Sequence, residues 1–116
     1  MITLPYNLDI CPNFQRNIVA RLSQGDEDFE IVISLYATNG TLTIEDGTTA
    51  QICGTLTDGT GYTEDATLNI SNGTVTISGD ADLTACAGAN VFEIVLTKGT
   101  KVLHSQNFEI WVEPAA

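Results

Sequence analysis

The sequence predicts an all-β fold, an antiparallel β-sandwich of immunoglobulin-like or jelly-roll-like form. Three observations carry this. Apolar residues recur at period two in short runs. Gly, Asn and Asp break those runs about every eight to twelve residues. No segment sustains the 3.6-residue period of an amphipathic helix. The 116 residues include sixteen Thr, a β-branched type that packs well on a pleated surface. A chain of this length makes one domain, residues 1–116, and buries roughly two thirds of its unfolded surface. Its 43% hydrophobic content is enough for a core.

The elements follow in chain order. Leu4 to Ile10 and Ile18 to Leu22 read as strands, and Pro5 and Pro12 confine the first to an edge. Phe29, Ile31, Ile33 and Leu35 fall on one face of a core strand ending at Tyr36. Asn39-Gly40 makes a turn, Leu42 and Ile44 continue the alternation, and Asp46-Gly47 stops it. Ile52, Gly54 and Leu56 mark the next strand, with Cys53 opposite. Ala66, Leu68 and Ile70, then Asn72-Gly73, then Val75 and Ile77 predict a hairpin with a two-residue type I′ turn. From Asp80 to Gly88 the alternation lapses, and a single helical turn capped by Gly88 fits. Phe92, Ile94 and Leu96 line a further strand whose other face, with Val91 and Val95, is apolar too. Lys98 to Lys101 turns the chain into Val102-Leu103. The last strand sets Phe108, Ile110 and Val112 against Glu109, Trp111 and Glu113, and Pro114 ends it.

Charge excludes whole classes of partner. Fifteen Asp and Glu against four Lys and Arg leave a formal charge of −11. Four cations cannot neutralise a nucleic-acid backbone or hold an anionic membrane surface. The N-terminus lacks the basic and apolar regions of a signal peptide, and no apolar run is long enough for a membrane helix. Cys11, Cys53 and Cys86 are odd in number and contain no CxxC pair, which predicts reduced thiols packed as small hydrophobes.

Chemistry is sparse. His104 is the single histidine, so a Ser or Cys nucleophile has one candidate base, and a strand position suits it better. No GxSxG, HExxH or phosphate-binding loop occurs. The cysteines and the histidine lack zinc spacing. Asp80-x-Asp82 could offer oxygens to calcium, but the twelve-residue EF-hand pattern is absent. The acidic loops at residues 26–28, 58–65 and 80–82 read as solubilising. The sequence therefore predicts no catalytic residue, cofactor or metal.

Aromatic side chains give the candidate contact residues. Trp111, Tyr36 and Tyr62 lie off the predicted core face. An outward Trp on a core strand is typical of a partner-facing patch. The same three residues would serve the alternative reading, a carbohydrate-binding module with an aromatic platform for host surface glycans.

The ordered series has a resemblance. Residues 17–26 lead into the strand Phe29 to Tyr36. Then come Ile44-Glu45-Asp46-Gly47-Thr48, Leu56-Thr57-Asp58-Gly59-Thr60-Gly61-Tyr62, Asn72-Gly73-Thr74-Val75-Thr76-Ile77 and Leu83 to Gly88, closing on Phe92 to Leu96 and Asn107 to Glu113. Over residues 14–113 this resembles the N-terminal domain of bacteriophage baseplate upper proteins and related phage fibre proteins. The resemblance implies a non-enzymatic β-sandwich domain of the virion, assembled in the bacterial cytoplasm and usually homotrimeric. Such a domain anchors fibre or receptor-binding elements to other virion proteins, and no active-site residue carries over. Members of that family commonly run on into a trimeric shaft, whereas this sequence stops at Ala116. Either a shaft has been cut away or this is a stand-alone adaptor or decoration protein; the Met1 start and the short Pro114-Ala115-Ala116 tail favour the stand-alone case, on a capsid head fibre or a tail baseplate.

Overall fold

A computed structural model describes residues 1–10, 17–38 and 40–115. Cys11, Pro12, Phe14 and Asn39 of the expected Asn39-Gly40 turn lie outside them. The elements are β1 (Ile2–Asp9), β2 (Asn17–Ser23), β3 (Phe29–Tyr36), β4 (Thr49–Thr55), β5 (Gly61–Asn69), β6 (Thr74–Ser78), β7 (Gly88–Lys98), β8 (Lys101–His104) and β9 (Phe108–Glu113). No helix occurs among the described residues, so the all-β class holds.

The architecture differs from a two-sheet antiparallel sandwich in two respects. First, the strands form one continuous sheet in the order β1-β3-β6-β5-β4-β7-β9-β2, with β8 beside β7. Strand β5 makes it continuous. Its residues 61–66 pair with β4, and residues 67–69 pair with β6. One strand thus hands the chain from one half of the sheet to the other, and the sheet curls until it nearly closes into a barrel. Second, the sheet is mixed. The inner pairs are antiparallel, but β1 runs parallel to β3 and β2 parallel to β9. Parallel neighbours need a long crossover. Here β2, paired at the far end of the sheet, lies within the connection from β1 to β3.

Period-two burial builds the core between the two halves. Ile31, Ile33, Val75, Ile77 and Leu8 come from one half, and Ile52, Phe92, Ile94, Phe108 and Ile110 from the other, all of them buried. Polar groups inside are paired. Asn90 is fully buried; its Oδ1 accepts from Thr57 N at 2.8 Å, and its Nδ2 donates to Cys86 O at 3.0 Å. The Thr84 hydroxyl donates to Asp26 O at 2.7 Å. No buried side-chain N or O among the described residues lacks a partner.

Local expectations needed three corrections. Asn72-Gly73 is not a two-residue turn. Asn69 pairs with Thr74, so the loop holds residues 70–73, and only Gly73 has positive φ, at 66°. Asn69 fixes that loop: its Oδ1 accepts from Asn72 N at 3.1 Å and its carbonyl from Gly73 N at 2.9 Å. Residues 80–86 form successive tight turns (Leu83 N to Asp80 O, 3.0 Å; Ala85 N to Asp82 O, 3.4 Å) rather than a helical turn, and Gly88 begins β7 instead of capping one. Leu42 and Ile44 alternate but pair with no strand; both pack half-buried in an irregular connection. A two-residue hairpin does occur between β7 and β8, where Gly99 has φ 59° and Thr100 does not, as a type II′ turn requires.

Candidate interaction surface

Strand β9 positions the clearest exposed group. Because Phe108, Ile110 and Val112 take its inward face, Trp111 points outward and is 40% exposed. The parallel register sets Arg21 of β2 directly beside it. The Arg21 guanidinium lies 4.8 Å from the Trp111 ring centroid, a cation–π contact. The indole Nε1 donates to Glu109 Oε1 at 3.0 Å. On the other side, Ala89 of β7 faces Trp111 in register. The small Ala89 side chain there leaves a groove of about 260 Å³ bounded by Arg21, Trp111, Val112 and Glu113. The ring is held by two polar neighbours while much of it stays accessible. Preset aromatic surface of this kind binds a partner at small entropic cost.

The other two expected contact residues fare differently. Tyr36 ends β3 and is 47% exposed, on a strand that does not pair with that of Trp111. Tyr62 is buried, which corrects its placement off the core. Its ring meets Phe92 edge-on at 5.9 Å, and its hydroxyl donates to Asp80 Oδ2 at 2.8 Å. Position parity carried the signal: Tyr62 shares a face with Ala66 and Leu68. Without Tyr62, the three aromatics do not make the platform that glycan stacking needs.

The remaining polar groups are engaged in structure. Asp80 uses Oδ2 for Tyr62 and Oδ1 for Asp82 N at 3.0 Å, so the Asp80-x-Asp82 pair organises a turn. No cluster of three or more metal-ligating side chains occurs among the described residues. His104 is exposed, with Nδ1 2.9 Å from Glu93 Oε1. Ser105, next in sequence, instead donates to Gln106 O at 2.8 Å and accepts from Ile94 N at 2.9 Å. Cys53 and Cys86 are free, half-buried thiols. Burial, then a hydrogen bond to Asp58, pushes the Cys86 thiol up. Asp58 in turn is lowered first by the backbone N–H of Thr60, 2.9 Å away. A thiol held protonated is a poor nucleophile.

No known family's sequence pattern matches the chain, and no curated protein sequence matches it. Among solved structures, the N-terminal domain of phage TP901-1 ORF48 is similar, with a TM-score of 0.75 over 97% of this chain and 99% of that one. Sequence identity is 15%. The likeness is one of fold.

Proposed function

We propose that this chain is a non-enzymatic structural domain of a phage virion. In this reading it is an adaptor or decoration unit that anchors fibre or receptor-binding elements at a capsid head fibre or a tail baseplate. The observation that carries the proposal is the end-to-end likeness of fold to the N-terminal domain of phage TP901-1 ORF48, with almost nothing left over in either chain. The partners are other virion proteins and further copies of the chain, in the homotrimer that the sequence resemblance implies.

The groove beside Trp111 is the contact assigned to a virion neighbour. Interfaces draw most of their affinity from a few aromatic and Arg anchors near the centre of the patch, and here Trp111 and Arg21 are already stacked. The test is incorporation into particles. Trp111→Ala should leave the fold intact, because the side chain is 40% exposed, yet weaken docking by roughly 2 kcal/mol, about thirtyfold. Particles that take up the variant and the unchanged protein equally would remove Trp111 from the interface.

A further inference from the structure

We infer that Asn72 is a covalent modification site that the fold keeps latent. Its spontaneous deamidation through Gly73 is held back by hydrogen bonds on both sides of Gly73, and the Asn69 side chain sets the restraint. The inference goes beyond the virion reading and does not depend on it.

The chemistry lies in the Asn72-Gly73 pair. In an Asn-Gly pair the next backbone nitrogen reaches the side-chain amide with least hindrance, because glycine has no Cβ to crowd the attack. Gly73 N sheds its proton and attacks Asn72 Cγ. An N–C bond forms, the Cγ–Nδ2 bond breaks, and Nδ2 leaves as ammonia with one proton gained in place of the one Gly73 lost. Water then opens the five-membered imide at either carbonyl and leaves an aspartyl or an isoaspartyl residue. Water is the co-reactant, and Asn72 is exposed to it.

The structure restrains the nucleophile. Gly73 N donates to Asn69 O at 2.9 Å, and Gly73 O accepts from Leu35 N at 2.9 Å. The first bond ties Gly73 to the end of β5, and the second ties it to the core strand β3. Between these bonds Gly73 holds φ at 66°, a left-handed conformation open to glycine. Asn69 adds a third tie. Its Oδ1 accepts from Asn72 N at 3.1 Å, so the backbone of the attacked residue is held as well. The loop is closed behind them by the Asn69–Thr74 and Ser34–Thr74 pairs.

An amide N–H bonded to a carbonyl gives up its proton when that bond opens, the requirement that also governs amide hydrogen exchange. Deamidation of Asn72 and exchange of the Gly73 N–H therefore share one opening step, release of residues 70–73 from Asn69. The product differs from the parent. It adds a carboxylate to a chain already at −11. The isoaspartyl form also puts an extra carbon into the main chain just before Gly73, inside the loop that the Asn69–Thr74 pair closes.

Peptide mapping by mass spectrometry, on the purified full-length chain incubated at mildly alkaline pH, tests this. It separates Asn72 from Asn39-Gly40, the other Asn-Gly pair of the sequence. The reference is the same chain unfolded in guanidinium chloride. Deamidation of Asn72 should be slower in the folded chain by about tenfold or more, with matching protection of the Gly73 N–H in hydrogen exchange followed by NMR. Asn69 is exposed, so Asn69→Ala should leave circular dichroism unchanged, yet speed the folded-state reaction by about threefold or more. Asn69→Asp keeps an Oδ acceptor for Asn72 N and should hold the parent rate. Equal rates in the folded and unfolded chain, or slowing without protection at Gly73, would overturn the latency. A folded rate unchanged by Asn69→Ala, or raised equally by Asn69→Asp, would overturn the role of Asn69.

Discussion

Replacing Tyr62 with Phe isolates one hydroxyl at the seam of the core. The ring is 7% exposed and sits edge-on to Phe92, so its packing survives the change. What is lost is the 2.8 Å hydrogen bond to Asp80 Oδ2. A bond to a charged acceptor contributes about 1.5–3 kcal/mol. Asp80 is half-buried and keeps its bond to Asp82 N, so water recovers part, and the net cost at pH 7 is about 1–2 kcal/mol. The pH dependence is more diagnostic. Burial first, and then the Asp80 hydrogen bond, raise the Tyr62 phenol above its ordinary value of 10.0. The folded chain then holds a proton that the unfolded chain releases. This stabilisation is fully present below about pH 10 and falls by up to ~1.4 kcal/mol per pH unit above it. The Tyr62→Phe variant has no such proton. Urea unfolding followed by far-UV circular dichroism from pH 8 to 11.5 should therefore show the deficit of the variant narrowing above pH 10 and closing about one unit higher. A deficit that stays constant across that range would refute the sequestered phenol.

Two further outcomes follow from the packing. At Gly79 an added Cβ would lie 2.0 Å from Glu27 O and 2.5 Å from Phe29 O, both backbone atoms that cannot swing aside. Gly79→Ala should cost about 3 kcal/mol by chemical denaturation; a cost under about 1 kcal/mol would contradict that close approach. Lys98 pairs with Glu45 at 3.5 Å and donates to the Asp46 carbonyl, tying residues 41–48 to the β7–β8 hairpin. Lys98→Ala should change global stability by less than about 1 kcal/mol, since the pair is exposed, yet speed amide exchange across residues 41–48.

Much of the fold was legible because its core strands obey one simple rule. Phe29 to Leu35, Phe92 to Leu96 and Phe108 to Val112 alternate cleanly, and every one of their inward residues is buried or half-buried. Pairing partners were not legible, because alternation fixes a face and not a neighbour. That gap hid the parallel β1–β3 and β2–β9 pairs, and with the second of these the stacking of Arg21 on Trp111, residues far apart in sequence. Asn72-Gly73 misled for a different reason. The side chain and carbonyl of Asn69 capture the next residues into a wider loop, and such local capture competes with the tighter turn. Leu42 and Ile44 show that alternation without a free strand edge gives packing but no ladder. Outward Trp111 was read correctly from parity; Tyr62 was misplaced although the same parity applied to it.

In the proposed role this domain is a built-in part of a phage particle and docks through the face that bears Trp111 and Arg21. Electron microscopy of intact particles, at a resolution that places strands, tests it most directly. Density for this fold should stand at a head fibre or baseplate, with the groove beside Trp111 filled by a neighbouring virion protein. Particles that lack the domain, or hold it with that groove open to solvent, would contradict it.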